Sequence, residues 1–294
     1  MAALARTYFA SAAFARLAAA TKPGRRGMVE ELIAAHGNKS VVGLEAKHVR
    51  ALVAARGHTP GQARNLLSAI SALMGFAVDI GIREDNPCRG IRRPKLSQEG
   101  WHGWTDEQIE IYRGFHAYGT TARLAFELAL CSMQRRSDLV KLGRQHLKAG
   151  LLTVASQQKT GAPAFAAVSL ELETALLAMP ASGGPFLNFL LTHDAAPFTP
   201  AGLATRFSHW CAKAGLSNCP LHGLRKAGAR LAVEAGCNVT EVAAIGGWKT
   251  ISQLQRYIES YSRQQAARSA GEKIRTATLS RTQPAQNSHT EKKA

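Results

Sequence analysis

Six residues in the later two thirds of the sequence carry groups that could act on a phosphate ester: Arg135, Lys159, His222, Arg225, Trp248 and Tyr257. Guanidinium groups are planar, permanently charged and matched to phosphate oxygens, so lysine is a poor substitute for them. A lysine or a histidine can carry a proton, an indole N–H can only donate a hydrogen bond, and a phenol can serve as nucleophile. Breaking a phosphodiester without a metal needs a nucleophile, charge stabilisation at the pentacoordinate phosphorus and a proton for the leaving alkoxide. The six groups cover all three needs.

Taken singly, each residue has an ordinary explanation. Arg135 would be a helix-surface arginine and Lys159, beside Thr160 and Gly161, an exposed hairpin lysine. His222 and Arg225 share a helix face at i and i+3, as many unrelated pairs do. Trp248 and Tyr257 would be packing aromatics. Their order and local text carry the argument.

The elements that must position them follow from periodicity. A helix over 59–80 buries Ala63, Leu66, Leu67, Ile70, Leu73, Met74 and Ala77, with Thr59 and Gln62 predicted as a capping box and Pro60 in the first turn. Segments near 4–20, 27–36 and 44–56 also read as helices, so the first 83 residues form an all-helical domain. Two prolines, a glycine and several charges then break every periodicity, which marks 84–104 as a basic linker. A second domain, 105–269, opens on a capping box at Thr105 and Gln108, followed by a helix over 119–133. Short β-prone runs at 151–156 and 164–170 predict a small antiparallel sheet with Lys159 in its turn. Helices return near 170–178, 200–214, 222–235, 238–245 and 250–260. The polar stretch 270–294 reads as a disordered tail.

Charge points to a polyanionic partner. The chain has 37 Lys and Arg against 20 Asp and Glu, a formal net charge of +17, and binding through such charge releases condensed counterions from nucleic acid. Exposed candidates for DNA contact are Arg64 and Asn65 on the outer face of the 59–80 helix, and Arg89, Arg92, Arg93 and Lys95 in the linker. No apolar run of about 18 residues suggests a membrane span. The Ala-rich first twenty residues read as an ordinary helix rather than a targeting segment. Cys88, Cys131, Cys211, Cys219 and Cys237 are widely spaced packing residues. No HExxH, CxxC pair or Walker-type loop implies a metal or nucleotide, so no cofactor is expected.

Arg135 within Ser132-Met-Gln-Arg-Arg-Ser-Asp138, the hairpin Lys159, His222-Gly-Leu-Arg225, Gly246-Gly-Trp248 and Tyr257 nine residues later resemble the ordered catalytic set of tyrosine recombinases of the phage-integrase type. The resemblance covers most of the chain. It implies a mainly α fold, in which a helical SAM-like core-binding domain precedes a catalytic domain with a small antiparallel β-sheet. It implies a site-specific recombinase in which Tyr257 attacks the scissile phosphate and forms a 3′-phosphotyrosyl intermediate, without metal or ATP. In that scheme Arg135 and Arg225 hold the non-bridging oxygens, and Lys159 protonates the 5′-oxygen. His222 is a base or second proton carrier, and Trp248 donates to a phosphate oxygen. The implied partners are double-stranded attachment-type DNA, clamped between the domains, and further copies of the chain, as a tetramer on DNA. An accessory DNA-bending protein is compatible with this scheme, and the implied location is the bacterial cytoplasm, at the nucleoid. The region 262–270 falls where the family commonly exchanges a C-terminal segment between subunits.

Four departures or neighbours bear on activity. Met133 stands where the family usually has glycine, which predicts an altered turn before Arg135. Ser132 replaces the usual threonine, and the segment after Lys159 lacks the usual basic and proline residues. Asp138 reads as a structural carboxylate that orients an arginine. Two other readings fit the same text: a degenerate integrase-like protein that binds DNA without cutting it, and a relaxing enzyme of the type IB topoisomerase kind.

Overall fold

The computed structural model describes residues 1–95, 102–180, 186–250, 252, 254 and 263–282. The chain divides into two compact units, Met1–Gln98 and Glu99–Ala294.

The first unit is built around one long helix. Helices α1 (Ala2–Ala10), α2 (Ala12–Ala15), α3 (Lys22–His36) and α4 (Ala46–Ala54) surround α5 (Pro60–Asp79). The buried face of α5 contains every residue that periodicity assigned to it, with Ala69 and Phe76 in addition. These side chains meet Leu4, Ala5 and Tyr8 of α1, Phe14 of α2, Val29 and Leu32 of α3, and Val49 and Val53 of α4 in one core. Each fully buried Leu, Ile or Phe contributes about 1.5–3 kcal/mol of transfer free energy.

The predicted capping box at the start of α5 does not form. Thr59 sits at ψ 72° and makes no capping hydrogen bond; its hydroxyl instead donates back to the carbonyl of Arg56 at 3.4 Å. Pro60 starts the helix without that help, because its fixed φ suits the first turn and its missing N–H would have been unpaired anyway.

The linker is shorter than 84–104. Arg83 donates to the carbonyl of Val42 at 2.8 Å, and Asn86 donates to the carbonyl of Ser71 in α5 at 2.8 Å. Cys88 is buried in the first core, and Ile91 packs on it. Backbone breakers therefore marked a folded-back segment rather than a free connection. At the other end, Trp104 is buried in the second core and donates to the carbonyl of Pro220 at 3.1 Å.

In the second unit, α6 (Asp106–Phe115) opens with the predicted box: Thr105 and Gln108 cap one another reciprocally. Helix α7 (Thr121–Ser132) is buried on nearly all sides, including Arg123 and Glu127. The Glu127 carboxylate takes two hydrogen bonds from Arg113, at 2.9 and 3.0 Å, and one from Arg123 at 2.8 Å. The short α8 (Arg136–Leu139) leads to a three-stranded antiparallel sheet of β1 (Leu147–Lys148), β2 (Leu151–Val154) and β3 (Ala164–Ala167), in the order β1-β2-β3. In the β2–β3 pair Val154 faces Ala164, so residues 155–163 form the connection that carries Lys159. Helices α9 (Leu170–Leu177), α10 (Pro200–Lys213), α11 (Leu221–Glu234) and α12 (Val239–Gly246) complete the packed body. The fold is thus mainly helical with a small antiparallel sheet.

A final helix, α13 (Arg263–Thr282), occupies part of the stretch predicted as a disordered tail from 270. Its described side chains lie exposed, Ile274 among them, and its Ala, Arg, Lys and Glu content favours helix on propensity alone. Lys273 donates to the carbonyl of Gly236 at 3.1 Å. The predicted helix at 250–260 lies largely outside the described residues.

Candidate active site

The site begins with an abrupt end to α7. Met133 follows the helix in the left-handed conformation, φ 51° and ψ 26°, and its N–H closes the last turn on the carbonyl of Ala129 at 3.0 Å. The predicted alteration of this turn is absent. Methionine adopts the backbone that glycine would favour, at a cost of about 1–2 kcal/mol. Its side chain offsets that strain by packing with Ala229, Val242, Trp248 and Leu254 in a separate apolar cluster. Gly228 of α11 makes room: a Cβ there would stand 2.9 Å from Met133 Cγ and 2.5 Å from the carbonyl oxygen of Leu130.

The reversal delivers Arg135 to the N-cap position of α8. Its Nη1 donates to Gln157 Oε1 at 2.7 Å. Arg225, on the first turns of α11, is 1% exposed. Its Nη1 donates to the carbonyls of Met133 and, at 2.8 Å, Gly246. The guanidinium lies over the Trp248 ring, 3.9 Å from its centroid, a cation–π contact within the distance at which the ring quadrupole attracts a cation. Trp248 reaches that position because Gly247 ends α12 at φ 67°, a left-handed step that also lets the backbone approach Gln157, whose Nε2 would stand 2.6 Å from a Cβ at that residue.

Lys159 is exposed on a tight turn. Gln157 N donates to the carbonyl of Ala162 at 2.9 Å, and Gly161 N to the carbonyl of Gln157 at 2.8 Å. Gly161 supplies the positive φ, 64°, that this turn requires. Asp138 is buried, and its Oδ1 accepts from the backbone N–H of Gln158 at 2.8 Å. This carboxylate therefore holds the lysine turn rather than orienting an arginine, as predicted. The reason is reach: one turn into α8, its side chain meets the connection after β2.

His222 is half-buried at the start of α11. Burial first, then the charges of Arg225, Arg135, Lys159 and Arg136, push its imidazole down to about 4. Three of those four cations are predicted site residues, so the electrostatics gathers Arg135, Lys159, His222 and Arg225 into one neighbourhood. At neutral pH the ring is uncharged and can accept a proton. Tyr257 lies outside the described residues. Leu254, three residues before it, is fully buried in the cluster with Met133 and Trp248.

The candidate DNA contacts belong to the other unit. Arg64 is half-buried on α5, Asn65 is exposed beside it, and Arg89, Arg92, Arg93 and Lys95 are all exposed. Two residues of the catalytic neighbourhood escaped the sequence reading altogether: the buried Gln134 and Gln157. Nothing in a polar hairpin text distinguishes a buried glutamine from a solvated one. Among the described residues no group of three His, Cys, Asp or Glu side chains is placed to hold a metal ion.

The family model for the phage integrase family matches residues 106–264, more than half of the chain. This protein belongs to the phage integrase family, the tyrosine recombinases. Among solved structures, a lambda integrase dimer (residues 75–356) bound to a COC′ core site is 19% identical, with a TM-score of 0.76 over 90% of this chain and 96% of that one. The lambda integrase tetramer bound to a Holliday junction is 19% identical, with a TM-score of 0.73 over 85% and 78%. The Tn1549 transposon integrase (residues 82–397) in complex with circular intermediate DNA is 14% identical, with a TM-score of 0.71 over 92% and 98%. No curated protein matches the sequence. At these identities the structural likeness establishes the tyrosine recombinase fold. The family match covers α6 through α12 and so contains every element of the candidate site.

Proposed function

We propose that this integrase-family protein is a site-specific recombinase that cleaves and rejoins duplex DNA through a 3′-phosphotyrosyl intermediate on Tyr257. The observation that carries the reading is the convergence of Arg135, the Lys159 turn and Arg225 through Gln157 and the Gly246 carbonyl, beside an imidazole that burial first, and then these charges, push down to about 4. Such a field suits a phosphodiester. Arg135 is oriented by a neutral amide, so its charge stays available to a non-bridging oxygen. Arg225 is fixed by backbone carbonyls and by the Trp248 face, which supplies the preorganisation that stabilises developing charge.

In this scheme neutral His222 takes a proton near the phosphate, and Lys159, carried on the exposed turn, protonates the 5′-leaving oxygen. The covalent tyrosyl ester conserves the bond energy, so a 5′-hydroxyl can reseal the strand without ATP. The exposed Arg89, Arg92, Arg93 and Lys95, with Arg64 and Asn65, contribute phosphate contacts that set affinity rather than chemistry. The lambda integrase relatives were captured as a dimer and a tetramer on DNA, and the same assembly on two recombining sites is proposed for this chain. The units 1–98 and 99 onward take the core-binding and catalytic roles.

Covalent trapping tests the reading. Nicked suicide duplexes from candidate attachment sites are incubated with wild type and Tyr257→Phe without metal, and SDS-resistant adducts are scored. Adducts with wild type alone are expected. Tight binding by both proteins without any adduct would replace this reading with a DNA-binding protein that no longer cuts. Relaxation of supercoiled DNA lacking any attachment site would favour the type IB topoisomerase activity instead.

A further inference from the structure

We infer that Gln157 is a positioning residue that couples the lysine turn to both arginines, an inference that rests on the recombinase reading. The side chain is 1% exposed, and its amide is fully used. Oε1 accepts from Arg135 Nη1 at 2.7 Å and from Thr160 Oγ1 at 2.8 Å. Nε2 donates to Gln134 Oε1 and to the carbonyl of Gly246, both at 2.7 Å. Gln134 in turn donates to the carbonyls of Ser132 at 2.8 Å and Ile245 at 3.0 Å. The Gly246 carbonyl also accepts from Arg225.

One amide thus joins three chain segments: the turn after α7, the connection after β2 and the end of α12. Thr160 adjoins Lys159, so the hydrogen bond that orients Arg135 shares its acceptor with the one that fixes the lysine turn. Donors stand at one end of the amide and acceptors at the other, a pattern that glutamine alone among isosteres satisfies. Glutamate would set a carboxylate oxygen against Gln134 Oε1 and the Gly246 carbonyl, and would neutralise Arg135. A neutral acceptor orients the guanidinium without cancelling its charge.

The test is single-turnover adduct formation on the suicide duplex, read beside the DNA dissociation constant and the melting temperature. Gln157→Leu should slow adduct formation on the order of 100-fold, the scale of a small misplacement of a catalytic group, while DNA affinity stays within about threefold, because phosphate contacts elsewhere set it. In an Arg135→Lys background the same substitution should add little, since residues acting through one group are not additive. Thr160→Val removes one hydroxyl from the same oxygen and leaves the buried amide intact. It should slow adduct formation by a smaller factor at unchanged affinity, and it carries the test if Gln157→Leu fails to fold. Unimpaired rates in both variants, parallel losses of affinity and rate, or full additivity with Arg135→Lys would overturn the inference while wild-type adducts keep the recombinase reading. No adduct with wild type removes that reading, and this inference with it.

Discussion

The second unit holds two arginine pairs that are treated in opposite ways. Arg113 and Arg123 close on Glu127, a carboxylate whose side chain is only 2% exposed, and Arg123 also donates to the carbonyls of Arg113 and His116. Arg135 and Arg225 are oriented by the Gln157 amide and by the carbonyls of Met133 and Gly246. The first pair has its charge balanced within the fold, by Glu127 and by Glu110, which meets Arg113 at 3.1 Å, and serves packing. The second is aimed by neutral oxygens, and its charge adds to burial in depressing His222. Identical side chains therefore become scaffold or anion-binding clamp according to the charge of what orients them.

The largest effect that could break this contrast lies at Arg225. Arg225→Lys should lower the single-turnover adduct rate by about 100- to 1000-fold, the scale of losing a preorganised donor to a developing oxyanion. An ammonium cannot span the Met133 and Gly246 carbonyls and face a phosphate in the same plane. A rate within tenfold of wild type would mean that this arginine is scaffold too. At the other pair, Glu127→Ala should cost about 3 kcal/mol of unfolding free energy, measured by denaturant titration, because it strands two arginines beside a buried helix. The adduct rate of the folded fraction should be unchanged.

The smallest effect sharpens the comparison through pH. His222 has a folded-state value near 4 against 6.5 for the free group, so the unfolded chain takes up a proton before the folded one as pH falls. The folded state therefore loses relative stability between about 6.5 and 4, with no penalty above that window. His222→Gln should flatten the decline of melting temperature across the same interval. An equally steep decline in the variant would mean that the folded state does not hold the imidazole below its free value.

Much of this was legible in the sequence because the clues were linear. The order of Arg135, Lys159, His222, Arg225 and Trp248 placed them on the turn after α7, the β2–β3 connection, α11 and the end of α12, and periodicity found the buried face of α5. Polar networks were not legible. Gln157 and Gln134 went unnoticed because their burial depends on Gly246 and Ile245, about 90 residues or more away. Asp138 was assigned to an arginine because a helical neighbour is the nearest guess, whereas its partner is the backbone of Gln158. Thr59 matched a capping pattern that depends on a ψ it does not adopt. The helix over 263–282 was missed because composition speaks to burial, and propensity alone suffices for an exposed helix.

The left-handed Met133 makes the cost of replacing this residue one-sided. Methionine in a glycine conformation is strained, yet its side chain fills the space between α11 and Trp248, against a Gly228 that the Leu130 carbonyl also requires to be bare. Returning to the family's glycine in one step would relieve about 1–2 kcal/mol of backbone strain and forfeit a buried side chain worth about 2–5 kcal/mol. Met133→Gly alone therefore loses more in packing than it recovers in backbone strain, so in this chain the side chain, not the backbone, sets the preference at the turn.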